Sequence, residues 1–303
     1  MKIATLYIGI VLVFRVIQAI FNKLSSNEVK SGRTLVVYST YRMTISTLLA
    51  LILILIVGKG FAADLTTVCI ASFSGVMLFV ASACSIYSMK SGTVSLDSMF
   101  GTAGMLIPMF AGIFLFDQPV RPLQWVAVAA FFVAAWLLVR NSRRTYSGFS
   151  LKTFLLLLGS LLSNGATMLA QQLFTQYVPE GDVSVFSLIS FGVLAVLGGI
   201  VIFVMMGKQK LSGEGVPKGS FRLSGKLLLC GFALAVAVFV INQLVTISTA
   251  LVSPVVLFAF VNGGGTIIAT LVAAVLYKEK LSVSSVAGVL LGVVSLVMIK
   301  VFQ

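Results

Sequence analysis

Histidine is absent from the 303-residue sequence, and acidic residues are scarce, with 8 Asp and Glu in total. Without histidine the chain lacks the usual proton carrier near neutral pH and the commonest metal ligand. The three cysteines are an odd number, lie inside apolar runs and form no C-x-x-C pair, so they indicate neither a disulfide framework nor a zinc site. We therefore expect no metal and no other cofactor.

Hydrophobic residues make up 59% of the chain and charged residues only 10%, with a mean hydropathy of +1.13. The apolar residues form runs of about 20, long enough to cross the roughly 30 Å core of a bilayer as helices. The 21 Lys and Arg lie mainly in short loops between these runs, which is typical of charges that orient a membrane protein and not of a nucleic-acid interface. The composition predicts an all-α, polytopic protein of a cell (inner or plasma) membrane.

Ten spans are predicted, each bounded by Gly, Pro, Ser or charge. The first, within MKIATLYIGIVLVF, is followed by Arg15 and not by a small-residue cleavage site, so we interpret it as a span and not as a signal peptide. The basic linker RNSRRTYSG separates two units of five spans, 1–147 and 148–303. The predicted spans are 4–21, 34–57, 65–88, 94–116, 122–139, 152–172, 183–206, 226–248, 254–277 and 282–301.

The two units resemble each other in sequence. GTAGMLIPMFAGIFLFD from Gly101 aligns with GGGTIIATLVAAVLYKE from Gly263 at a shift of 162 residues. In the first helices, the polar stripe Arg15, Gln18 and Asn22 recurs at a shift of 149 as Asn164, Thr167 and Gln171. Because five is odd, the second unit must enter the membrane in the opposite direction, which predicts two inverted five-helix repeats.

Loop charges predict the orientation of the chain. One side, which carries both termini, holds four basic residues (Lys2, Lys59, Arg121, Lys300), and the other holds fifteen. Positive loops stay in the cytoplasm, so this count places both termini outside.

The chain resembles the ten-helix drug/metabolite transporter superfamily, in particular EamA-type permeases. The resemblance rests on the repeat of five spans, the lone acidic turns in FLFDQPVRPLQ and VLYKEKLSVSS, the YRMTISTLLAL start of span two and the NKL close of span one. It implies a carrier whose substrate cavity lies between the halves and opens alternately to either side. It also implies cytoplasmic termini, contrary to the charge count.

Charged residues inside spans are the first candidates for a binding site, because each costs about 2.5 to 3.5 kcal/mol on insertion scales and needs a partner. Arg15 and Arg42 are predicted about 10–12 Å below the same membrane face, with Asp97 shallower. Guanidinium groups clamp carboxylate or phosphate, so an anionic or zwitterionic metabolite is predicted. The alternative is that Arg42 pairs with Asp97 or snorkels to the interface.

Polar and aromatic residues would line the rest of the cavity. Neutral residues in spans equally form inter-helix hydrogen bonds, and Tyr87 suits an interfacial belt as well as a substrate stack. The wall residues predicted are Gln18 and Tyr38 in the first half, with Tyr87, and Asn164, Gln171, Asn242, Gln243 and Asn262 in the second.

Glycine clusters occupy equivalent places in spans four and nine. Interrupted helices at matching places in two halves point to a transporter's binding site, and tight packing alone is the alternative explanation. The residues are Gly101 and Gly104 in span four and Gly263, Gly264 and Gly265 in span nine.

The function predicted is secondary transport of a small polar metabolite by alternating access, with the lipid bilayer and the solute as partners, no nucleic acid, and the chain as a monomer. A lipid or lipid-linked solute translocator, or a non-transporting assembly partner, remains as the alternative. An enzyme is not expected, because metal ligands and a nucleophile with its base are lacking.

Overall fold

The computed structural model describes residues 2–29, 31–57, 61, 63–90, 100–117, 121–140, 151–211, 222–276 and 283–301. Within these ranges the chain is all-helical, without strands. The helices are α1 (Lys2–Glu28), α2 (Gly32–Val57), α3 (Leu65–Lys90), α4 (Leu106–Phe116, preceded by a helical turn at 100–103), α5 (Pro122–Arg140), α6 (Leu151–Tyr177), α7 (Val183–Leu211), α8 (Gly225–Thr249), α9 (Pro254–Phe258, a π-helical segment Ala259–Gly263, and Gly264–Leu276) and α10 (Val283–Val301).

Six of these helices, α1 to α3 and α6 to α8, are long and apolar enough to cross a membrane, and the other four contain shorter apolar segments in the described residues. Large apolar side chains point outward over much of the surface. Leu65, Phe114 and Phe203 are more than three-quarters exposed. A water-soluble protein would bury such residues, whereas lipid solvates them. The chain is thus an all-helical protein that fits a polytopic membrane protein.

Each predicted span has a helix at its place, although the predicted ends differ. One difference is in α1, which continues through polar residues to Glu28, seven residues beyond the predicted end at position 21. Arg15 is consequently at the midpoint of α1, thirteen residues or about 20 Å from either end. Arg42 is ten residues, about 15 Å, from the start of α2. Arg15 and Arg42 are therefore farther from the helix ends than the seven and eight residues that the predicted spans gave, and their depth below a membrane face stays a prediction.

Helices of the first unit pack mainly on helices of the second. The principal pairs are α3 with α6, α1 with α8, α2 with α7 and α5 with α10. Secondary contacts join α3 to α7, α2 to α8, α1 to α9 and α4 to α6. The halves are interleaved and do not form two separate bundles.

Residue contacts give the relative directions of these helices. Thr40 lies against Gly198 and Thr47 against Gly192, so α2 and α7 are antiparallel. The Tyr41 hydroxyl donates to the Leu228 carbonyl at 3.3 Å and the Ser46 hydroxyl to the Ala235 carbonyl at 3.1 Å, so α2 and α8 are parallel.

The largest hydrophobic core lies where α1, α4, α5, α8, α9 and α10 meet. Phe131 of α5 is one of its largest side chains and is 1% exposed, and it packs against Gly263 and Leu296. This core adjoins the irregular segments of α4 and α9, so the broken backbone is held by close packing on both sides.

Candidate functional site

Arg15, at the midpoint of α1, contacts both halves of the chain. One guanidinium nitrogen, Nη1, donates to Gln18 Oε1 at 2.8 Å, and the other, Nη2, donates to Asn262 Oδ1 at 3.3 Å. Its Nε is enclosed and has no hydrogen-bond partner. Arg15 and Gln18 are three residues apart on one helix, so they share a face, whereas Asn262 comes from the other half of the chain. The guanidinium is thus held by neutral amides and keeps an unused donor.

The backbone near Arg15 is irregular. Asn262 lies in the π-helical segment Ala259–Gly263, a kind of insertion that is frequent at functional sites. Gly265 faces the methylene stem of Arg15, where an added Cβ would be 3.3 Å from Arg15 Cδ. The missing side chain at this glycine leaves room for the arginine, and Leu12 one turn earlier lies against Gly264 in the same way.

Carboxylates are remote from Arg15 in the part of the chain that the structure describes. The five described acidic residues all lie at helix ends or in connections, and the one on α1, Glu28, is thirteen residues or about 20 Å along the helix from Arg15. They are Glu28, Asp64, Asp117, Glu180 and Asp182. The predicted pairing partner Asp97 lies outside the described residues.

Arg42 forms a second basic group. Its Cζ lies 5.7 Å from the centroid of the Tyr38 ring, within cation–π distance, and its Nε is enclosed without a hydrogen-bond partner. Tyr38 is 2% exposed, and its hydroxyl is 2.7 Å from the Ser25 hydroxyl of α1. The same ring packs on Gly231 of α8. Tyr38 therefore joins α1, α2 and α8, and the face of its ring packs against the Arg42 guanidinium.

A neutral polar network lies in the second half. Gln171 Nε2 donates to Asn242 Oδ1 at 2.7 Å, and Asn242 Nδ2 donates to the Ser187 hydroxyl at 3.1 Å, so three helices, α6, α7 and α8, are joined. Asn262 Nδ2 contacts the sulfur of Met168 at 3.5 Å, and Met168 is three residues from Gln171 on α6. The Arg15 group and this network therefore border the same helix.

Other predicted wall residues have more local contacts. Asn164 donates from Nδ2 to the Ser160 carbonyl one turn earlier, at 2.8 Å, and its amide also faces Gly101. Gln243 is 7% exposed and its Nε2 has no partner. Tyr87 is 56% exposed, at an outer position that suits the interfacial alternative.

The glycines of span four allow a backbone contact. A Cβ at Gly104 would lie 2.8 Å from the Leu161 carbonyl oxygen and 2.9 Å from the Gly165 nitrogen of α6. Residues 104 and 105 form a turn that interrupts the helix. The hydroxyl of Thr102, beside this turn, is 3.3 Å from that of Thr266 on α9. The two glycine-rich stretches therefore meet at their irregular parts.

Several residues were missed by reasoning from sequence. Gln172 is fully buried, and neither its amide nitrogen nor its oxygen has a partner. Ser25 and Ser187 complete the contacts of Tyr38 and Asn242. Serine is common in membrane helices and often bonds its own backbone, so composition gives no signal for these two. Gln172 could have been predicted by the reasoning that selected its neighbour Gln171, because a polar amide inside a span is unusual.

The chemistry that this arrangement offers is recognition of negative charge by guanidinium groups. In the described residues no three His, Cys, Asp or Glu side chains come together as a metal site would require. Arg15 lies beside two amides and Arg42 beside the Tyr38 ring, each Nε has no hydrogen-bond partner, and the fork of a guanidinium suits a carboxylate or phosphate.

Comparison with known proteins adds evidence on the fold. No family model matches the chain, and no curated protein does either. Among solved structures, 28 chains match. One, a crystal structure of a protein, superposes with a TM-score of 0.74 at 14% sequence identity, covering 98% of this chain and 97% of that one. The two chains share a fold. The likeness extends over nearly the full length of both chains. An identity of 14% gives no information about the substrate.

Proposed function

We propose that the chain is a secondary transporter that moves a small anionic or zwitterionic metabolite across a cell membrane by alternating access. The observation that carries this proposal is the environment of Arg15. Its guanidinium lies at the midpoint of a membrane-length helix, contacts only neutral amides among the hydrogen bonds described, and keeps its Nε unpaired. A buried charge with no counter-charge costs several kcal/mol, and a bound anion would supply that counter-charge.

The architecture we propose is ten spans in two inverted five-helix repeats, as in EamA-type permeases. Reciprocal packing supports it. Under this symmetry each helix corresponds to the helix five places away in the chain, so α1 corresponds to α6, α8 to α3 and α9 to α4. The α1–α8 contact then corresponds to α6–α3, and the α1–α9 contact to α6–α4. All four contacts occur. The pairs α2–α7 and α5–α10 are their own images, and both occur. A two-fold relation between the halves produces this pattern, and it is the relation that rocking carriers use.

The Arg15 site is formed from both halves, which suits alternating access. Arg15 and Gln18 belong to the first unit and Asn262 to the second, so movement of one unit against the other changes the site. The π-helical segment of α9 gives the backbone beside Asn262 a place to bend. For orientation, we keep the charge-based proposal that both termini lie outside.

Thermal unfolding of the detergent-purified protein tests the proposal. The panel contains amino acids, small carboxylates and sugar phosphates, with quaternary ammonium compounds and lipids as the other classes. A ligand at 100 times its dissociation constant adds about 2.7 kcal/mol of stability, so anions or zwitterions should raise the unfolding temperature. Arg15→Gln should remove the response, and Arg121→Gln, which removes an exposed arginine outside the spans, should keep it.

Two outcomes would contradict the proposal. Stabilisation by cations alone would show that the guanidinium does not bind the solute. Stabilisation by lipids alone, with no response to water-soluble compounds, would favour a lipid translocator. If an anion or zwitterion stabilises the protein, its uptake into proteoliposomes tests transport directly. That uptake should be lost in Arg15→Gln and kept in Arg121→Gln.

A further inference from the structure

The helices that carry the two arginines, α1 and α2, both pack against α8. On α2, Tyr38 packs on Gly231 and Ser46 donates to the Ala235 carbonyl, so the face that carries Arg42 between them is turned to α8. On α1, Val11 packs in the same core as Ile241 of α8. Gln18 is seven residues, about two turns, from Val11 and so shares its face.

The Ser25–Tyr38 hydrogen bond fixes the depth of the two arginines relative to each other. The two helices are antiparallel and joined by a short connection at this bond. Arg42 is four residues along α2 from Tyr38, about 6 Å, and Arg15 is ten residues along α1 from Ser25, about 15 Å. Both lie inward from the bond, and Arg15 is about 9 Å deeper. Two long side chains can reach across this offset to the two ends of one elongated ligand.

The charges of Arg15 and Arg42 are unbalanced. Each guanidinium has an enclosed Nε without a hydrogen-bond partner, and the described carboxylates all lie at helix ends or connections. A monoanion would neutralise one positive charge and leave the other enclosed without a counter-charge. A ligand with two acidic groups would neutralise both, and each guanidinium would then gain a partner suited to its fork.

We propose that the transported solute is an elongated dianion, with one acidic group bound by Arg15, Gln18 and Asn262 and the other by Arg42 above the Tyr38 ring. This inference rests on the proposed function and narrows its substrate class. Arg15 is the deeper anchor because two amides hold it in place. Arg42 discriminates by charge, because its cation–π support leaves the guanidinium edge free to bind.

The test uses succinate and its monoamide succinamate, which differ by one charge on the same skeleton, with glutarate and adipate to vary length. Dissociation constants come from ligand-dependent thermal unfolding of the full-length protein. We expect at least one dicarboxylate to bind tenfold or more tightly than succinamate. Arg42→Gln should abolish that ratio while leaving succinamate binding within about twofold. Arg15→Gln should weaken both compounds, and Arg121→Gln should change neither.

Arg42→Lys guards against a folding artefact, because it keeps the positive charge but loses the guanidinium fork, so it should keep part of the preference for dicarboxylates that Arg42→Gln abolishes. Equal binding of mono- and dicarboxylates by the unmodified protein would overturn the dianion inference and leave the anion transporter standing. A preference for dicarboxylates that survives Arg42→Gln would also overturn it. Failure of every anion to bind, with cations or lipids binding instead, would be a failure of the proposed function itself.

Discussion

Replacing Gly104 by alanine should loosen the contact between α4 and α6. The added Cβ would lie 2.8 Å from the Leu161 carbonyl oxygen and 2.9 Å from the Gly165 nitrogen, both closer than real Cβ contacts. These atoms belong to backbone and cannot rotate away, so the two helices must separate by several tenths of an ångström. Overpacking of this kind costs about 1 to 3 kcal/mol, against at most about 1 kcal/mol gained because alanine favours helix over glycine. We expect a net loss of about 1 to 2 kcal/mol.

Gly199→Ala is the matched control for this substitution. Gly199 lies in the interior of α7, and no neighbouring atom comes within 4 Å of the place that the added methyl group would occupy. Only the helix preference remains there, so this variant should gain about 0.5 to 1 kcal/mol. The assay is reversible unfolding in mixed micelles, with retained helix content checked by circular dichroism.

The double variant Gly104→Ala/Gly165→Ala sharpens the test. A Cβ at Gly165 would meet the Gly104 carbonyl oxygen at 2.5 Å, so both changes press the same two helices apart. Once the first has separated them, the second should cost less, and the combined loss should be smaller than the sum of the two. If Gly104→Ala proved as stabilising as Gly199→Ala, the backbone contact between α4 and α6 would be wrong.

Three further predictions concern single contacts. Tyr38→Phe removes the hydroxyl that bonds Ser25 at 2.7 Å, and should lower the unfolding free energy by about 1 kcal/mol; an unchanged value would mean that this junction contributes nothing. Gln171→Leu leaves the Asn242 amide oxygen without its donor and should cost about 0.6 to 1.7 kcal/mol by the same unfolding assay, whereas Gln176→Leu at an exposed position of α6 should cost little. Hydrogen bonds from the hydroxyl and backbone N–H of Thr67 hold the pKa of the exposed Asp64 below its ordinary value of 3.8, so the carboxylate stabilises the start of α3 at neutral pH and this support is lost as pH falls below about 4. Amide exchange of Thr67, corrected for its intrinsic pH dependence, should speed up across that range in the unmodified protein and not in Asp64→Asn.

The positions of the helices could be predicted from sequence because lipid-facing helices need apolar runs of a set length. Their ends could not, because the backbone hydrogen-bond ladder continues into water without any apolar signal. In α1 the residues from Lys23 to Glu28 are mostly polar, yet the helix runs through them. Hydropathy reports the solvent around a helix and not its termini, so the predicted end of α1 falls seven residues short of Glu28.

Contacts within one helix could be predicted, and contacts between helices could not. The spacing of three residues brings Arg15 to Gln18, and the spacing of four brings Arg42 over Tyr38. The bond from Arg15 to Asn262 joins residues 247 positions apart, and its existence depends on how α1 and α9 pack. Helix periodicity fixes a face but carries no information about which helix meets that face.

Under the proposed repeat, one proline accounts for the turn at residues 104 and 105, which has no counterpart at the equivalent residues 266 and 267 of α9. Pro108 has no N–H to donate to the carbonyl of Gly104, and that carbonyl instead accepts from the Ile107 N–H at 3.0 Å in a tighter turn. The equivalent position in α9 is Thr270, which keeps its donor, and there the chain is regular α-helix within Gly264–Leu276.

The proposed repeat also bears on how many anion sites the proposed transporter has. A shift of 149 places Asn164 at the equivalent of Arg15, and a shift of 162 places Phe100 at the equivalent of Asn262. The second copy of the arrangement therefore has neither the guanidinium nor the amide that holds it. The proposed transporter would therefore have one anion site and not two, with the charge supplied by the first half and an amide by the second. Because Arg15 and Asn262 belong to different halves, the proposed rocking movement would separate them, and release of the solute would follow from the same movement that changes access.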